Sequence, residues 1–126
     1  MTVNAISTPQ APLAAGPYSQ AVIAGNLVFT AGEIPVDPVT GTVPATTEDQ
    51  TKLALKNLWA VLTAAGVKKN GVVAVTVYLT DIHDFSAVNV IYADFFAEPF
   101  PARSCIAAAA LPKNVRIMVS AIAVLN

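Results

Sequence analysis

Residues 100–124 read FPARSCIAAAALPKNVRIMVSAIAV, a largely small and apolar run with an arginine, Arg103, at its mouth and a hydroxyl, Ser120, deep in its second half. A guanidinium is permanently charged and presents a planar fork that matches a carboxylate, and the small residues beside Arg103 leave room for a ligand. A small carboxylic acid is its natural partner. The competing uses are an ion pair across a subunit interface and a side chain that reaches out to water. Strand alternation points Cys105 to the same side as Arg103 and Ser104 to the other. A nearby cation favours a thiolate, whereas cysteine in apolar company is commonly a small buried hydrophobe. The single histidine, His83, sits in a loop before a helix cap, so no Cys–His nucleophile is expected and Cys105 is assigned to a cleft wall. Tyr18 follows Gly-Pro in a segment too irregular for a core strand. Its hydroxyl could orient a polar group of a ligand, or its ring could pack at an interface. Gly32, in TAGEIP, either lets a ligand approach the backbone closely or marks an ordinary bend.

Composition limits what such a site can belong to. The 126 residues are read as one domain, residues 1–126, with a modest core. Charged residues make up 12% of the chain, about half the usual share, while 55% is hydrophobic. One chain can hardly cover itself with polar surface, so a homo-oligomer is expected. A net charge of −1 with scattered Lys and Arg argues against a nucleic-acid partner. One cysteine and one histidine leave no Cys/His cluster for a metal, and no cofactor is called for. No apolar run is long enough to span a membrane, and MTVNAIS lacks the basic start and apolar stretch of a signal peptide, so a cytoplasmic protein is expected.

The elements that must position these residues follow from local pattern. Ala21–Ala24 and Leu27–Ala31 flank Gly25-Asn26 and predict a hairpin with a two-residue turn. Thr47 followed by Gln50 predicts a capping box, opening a helix that carries Leu55, Leu58, Leu62 and Ala65 on one stripe and stops at Gly66. GVVAVTVYLT predicts a central strand buried on both faces. Asp84 is expected to cap a second helix with Phe85, Val88, Tyr92 and Phe95 on a shared face. ARSCIAAAAL and VRIMVSAIAV predict closing strands around a turn at PKN. The order ββαβαββ describes an α+β fold, one sheet with two helices on one side. The other side of the sheet then needs identical sheets to cover it.

GPYSQAV at 16–22, AGEIPVDPVTG at 31–41, VNVIYADFF at 88–96 and FPARSCIAAAALP at 100–112 together closely resemble the RidA family, also called YjgF/UK114. The resemblance runs from about residue 6 to the end. It implies a chorismate-mutase-like fold, a homotrimer with clefts between subunits, and hydrolysis of small 2-imino or enamine acids to 2-keto acids and ammonia. Other members are described as ribonucleases, translation inhibitors or chaperones. Carried onto this sequence, it implies that Arg103, Gly32 and Asn89 bind substrate, while Tyr18, Cys105 and Ser120 serve catalysis. Asn89 also reads as a solvated helix position. Ser120 departs from the pattern, because the family usually carries a glutamate just before AIAV, thought to position or activate the hydrolytic water. A carboxylate can accept a proton near neutral pH; a serine without a base can only hydrogen-bond. Glu33 stands where RidA-like chains often have glutamine; it could stand in for the missing carboxylate, but is expected to be a solvated loop carboxylate. Two functions stay open: an imine deaminase, or a carboxylate-binding regulator or chaperone-like protein that lost the catalytic group.

Overall fold

The computed structural model describes residues 2–125. Strands β1 (Val3–Ile6), β2 (Ala21–Ala24) and β3 (Leu27–Thr30) precede helix α1 (Thr47–Ala65). Strand β4 (Val72–Leu79), helix α2 (Phe85–Phe95) and strands β5 (Ala102–Ala107) and β6 (Ile117–Val124) complete the chain. The six strands form one sheet in the order β1-β2-β3-β6-β4-β5. All neighbours are antiparallel except β4 and β5, which run parallel because α2 carries the chain from one to the other. The class is α+β, as expected.

Local chemistry accounts for much of this. Gly25 takes φ +63° in the turn that joins β2 to β3, with Ala24 paired to Leu27. Gly66 stops α1 at φ +93°, and its N–H reaches the carbonyls of Leu62 and Thr63. Lys113 and Asn114 both have positive φ, so the PKN turn is present and β5 ends at Ala107, short of the expected run to Leu111.

Four expectations need correction. β1 is an added strand, held by pairing Val3–Ile6 against Ala21–Ala24. The α1 cap is Thr46, not Thr47: Thr46 Oγ1 accepts from Asp49 N at 3.1 Å. The Thr47 hydroxyl is already engaged, donating to Asp84 Oδ2 at 3.2 Å and accepting from Arg116 Nη1 at 2.9 Å. Asp84 makes no cap hydrogen bond to α2, since its own backbone is helical after the 3-10 turn Ile82–Asp84 and an N-cap needs an extended residue. Finally, β4 is buried on one face only. Val75, Val77 and Leu79 are buried, whereas Ala74, Thr76 and Tyr78 are half-buried on the face without helices.

The core lies between sheet and helices. Leu55, Leu58, Val61 and Leu62 of α1 and Val88 of α2 meet Val28, Val75, Val77, Leu79, Ile117 and Val119 of the sheet, all essentially without exposure. This packing fixes which side of β5 looks toward α2. Phe29, Ile106 and Ile122 are exposed, and by register they stand on the opposite, open face.

Candidate active site

Arg103 and Cys105 pair in register with Val75 and Val77 on β4, so both side chains stand on the helix face at the sheet edge. There α2 presents Phe85, Asn89 and Tyr92 at successive turns of one stripe. Arg103 Nη1 donates to Asn89 Oδ1 at 2.7 Å. Its Cζ lies 5.3 Å from the Phe85 ring centre and 4.7 Å from that of Tyr92. Two π faces and one amide therefore hold the guanidinium while leaving most of its N–H donors free. They face a cavity of about 420 Å³ lined by Asn89, Tyr92, Ala93, Phe100, Pro101 and Arg103. The one ion pair among the described residues joins His83 to Asp81, so Arg103 has no acidic partner there.

Cys105 is half-buried beside this cradle. Burial pushes its thiol above the ordinary value, against the opposing pull of Arg103. Desolvation outweighs the cation, so of the two readings the neutral, weakly polar thiol is favoured over the thiolate. The Tyr92 hydroxyl, buried and without a hydrogen-bond partner, is likewise raised by burial more than Arg103 lowers it.

Ser120 lies across the sheet. It pairs with Thr76, and with Phe29, Thr30 and Thr76 it lines a shallow cavity of about 120 Å³ on the open face. A single chain therefore does not bring Ser120 to Arg103. Gly32 adjoins this region, and a Cβ there would fall 2.5 Å from Met118 Sδ, so the missing side chain makes room for Met118. Tyr18 is 53% exposed, and its hydroxyl accepts from Ala15 N at 3.4 Å, a contact within its own loop. None of the side-chain hydrogen bonds among the described residues links Tyr18, Gly32 or Ser120 to Arg103.

Glu33 overturns its expectation. It is 4% exposed, not solvated, because its backbone bonds to Val119 in both directions, at 2.7 and 3.0 Å. That bridge places its side chain on the face of Val119 and away from Ser120. Burial raises its carboxyl to about 8. Among the described residues no three His, Cys, Asp or Glu side chains converge as a metal site would require.

The sequence matches the model of the endoribonuclease L-PSP family over residues 8–125. The chain belongs to this family. It is 48% identical over 122 residues to the 2-iminobutanoate/2-iminopropanoate deaminase of Escherichia coli K12, covering 94% of this chain and 95% of that one. The crystal structure of Escherichia coli TdcF with bound serine superposes with a TM-score of 0.93 at 44% identity, covering 98% and 99% of the two chains. RidA from the Antarctic bacterium Psychrobacter superposes at 0.94 with 37% identity, covering 97% and 99%. The motif resemblance to RidA is thereby confirmed. In this L-PSP family chain the geometry adds four residues that the motifs did not single out for chemistry: Phe85 and Tyr92 under Arg103, and Thr30 and Thr76 around Ser120. The helical spacing of Phe85, Asn89 and Tyr92 could have signalled the first pair. The threonines carried no local signal, since strand pairing brings Thr76 beside Ser120 and a hydrogen bond from Ala121 N to Thr30 Oγ1 holds the other there.

Proposed function

We propose that the chain hydrolyses small 2-imino and enamine acids to 2-keto acids and ammonia. The observation that carries this reading is the Arg103 guanidinium, held by Phe85, Asn89 and Tyr92, without an acidic partner among the described residues and facing a cavity. Such a group takes the substrate carboxylate and fixes the adjacent C=N carbon. Water adds to that carbon, forming a C–O bond as the π electrons move to nitrogen, which takes up one of the water's protons to give a carbinolamine. The second proton then passes from the carbinolamine hydroxyl to nitrogen, the C–N bond breaks to release ammonia, and the keto oxygen comes from water.

The remaining groups reach this carbon in a homotrimer. The open face exposes Phe29, Ile106 and Ile122, apolar area that neighbouring copies would cover. One subunit then supplies Arg103, Cys105 and Asn89, and the next supplies Ser120, Tyr18 and Gly32 with its backbone amide. Ser120 and Tyr18 orient water and substrate nitrogen by hydrogen bonding, and Cys105 lines the wall. Sedimentation at micromolar concentration is expected to give a trimer; a monomer would remove the intersubunit site. The names of the similar proteins fit a small amino-acid-derived ligand, one being a 2-imino acid deaminase and another a protein with bound serine.

A second reading, a carboxylate-binding regulator or chaperone-like protein, is favoured by one observation. The side chain of Glu33 faces away from Ser120, so it does not replace a general base there. A coupled assay separates the two. Threonine and a threonine dehydratase release iminobutyrate, which semicarbazide traps. The deaminase reading expects this protein to lower the semicarbazone yield and Arg103→Ala to restore it. An unchanged yield, with 2-oxobutanoate still bound through Arg103, selects the regulator.

A further inference from the structure

Away from Arg103, the C-terminal ends of α1 and α2 leave a groove of about 290 Å³ lined by Trp59, Lys69, Phe95 and Phe96. Its aromatic walls are fixed by packing. Phe95 and Phe96 meet edge to face, centroids 4.9 Å apart at 81°, and Phe96 in turn rests on Tyr92 at 4.6 Å. Because the two rings stand nearly perpendicular, a planar ring laid against the pair from the groove meets one ring's face and the other's edge, the two arrangements aromatic pairs prefer. The groove's single charge is Lys69, which is exposed and pairs with no acid among the described residues. Among the described residues no carboxylate lines this groove; Glu98 and Asp94 belong to adjoining cavities, the first sharing Lys69 and Phe96 and the second sharing Phe95. The volume is at the small end for ligand cavities, enough for one ring and a short polar arm.

We infer that this groove is a second binding site, for a small aryl carboxylate whose ring lies among Trp59, Phe95 and Phe96 and whose carboxylate meets the Lys69 ammonium. The pairing is by charge and shape: a cation at the rim of an aromatic slot selects an anion carried on a flat apolar body. The site is independent of the deaminase reading, because it uses none of the residues assigned to imine hydrolysis.

Trp59 is the single tryptophan, so its fluorescence reports occupancy directly. Phenylacetate titrated into the full chain is expected to give a saturable change in Trp59 emission. Phenylacetamide, the neutral isostere, should bind about fivefold more weakly, the scale of an exposed ion pair. Lys69→Gln should bring the acid down to the amide's affinity, and Arg103→Ala should leave the titration as it was. Amide shifts in a heteronuclear NMR spectrum should gather at residues 59, 69 and 95–96. Equal affinity for acid and amide, an unsaturable response, or a signal abolished by Arg103→Ala would each overturn the proposal.

Discussion

Glu33→Gln tests how a buried carboxyl shapes the pH response of the fold. Burial raises the Glu33 carboxyl from 4.5 to about 8, with no charged partner contributing. The folded chain therefore holds this proton at neutral pH, whereas the unfolded chain releases it near 4.5. Between these values the native state binds a proton that the unfolded state lacks, so stability falls as pH rises. The loss is about 1.4 kcal/mol per pH unit, or about 3 kcal/mol by pH 7, with a ceiling of about 5 kcal/mol above pH 8. Full stability is present below the unfolded value. Glutamine keeps the shape of the protonated carboxyl and cannot ionise. Urea unfolding of both proteins at pH 5, 6, 7 and 8, at one protein concentration because assembly contributes to stability, reads the effect. The parent's midpoint should fall steadily from pH 5 to 8, and Glu33→Gln should fall much less, ahead by about 2–3 kcal/mol at pH 7. Asp37 and Asp81, whose carboxyls backbone hydrogen bonds hold below the usual range, act identically in both proteins and cancel. Parallel pH profiles for the two would refute the reasoning, since they would mean that Glu33 ionises in the fold as freely as in the unfolded chain.

Arg103→Ala should weaken 2-oxobutanoate binding by roughly ten- to hundredfold in calorimetry while the protein stays folded, the scale of a hydrogen bond to a charged group. Ser120→Glu should raise imine hydrolysis about 10²-fold if the serine stands where a water-activating carboxylate is missing, and a folded, ligand-binding variant with the parent's rate would count against that account. Gly32→Ala should cost no more than about 1 kcal/mol in thermal unfolding, because the added Cβ meets only the flexible, half-buried Met118 side chain, which can swing aside.

How much was legible depended on how far apart the deciding partners lie. The hairpin at Gly25-Asn26, the stop at Gly66 and the shared side of Arg103 and Cys105 are local, set by a turn, a left-handed residue and a two-residue period. β1 was not legible, because three of its four residues are exposed and its strand character comes from pairing with β2. The cap at Thr46 was displaced by one residue because the hydroxyl that a capping box would use at Thr47 is claimed by Asp84 and Arg116, distant in sequence. Glu33 looked solvated amid turn residues, and only its bridge to Val119 on β6 buries it. At the site, the side of β5 that Arg103 shares with Cys105 was legible, but Asn89's place as its tether follows from how α2 lies against β5.

Among the described residues the sheet ends on one side at β5, which bonds to β4 alone and leaves an outer row of backbone amides and carbonyls open. Such an edge is a template onto which any extended chain can add, and a guard against this is a charge set on the edge strand itself. Arg103 is the one charged residue of Ala102–Ala107, flanked beyond Cys105 by Ile106 and a run of alanines. The side chain that faces the cavity is thus also the one charge this edge strand carries against recruiting another chain into a growing β-stack.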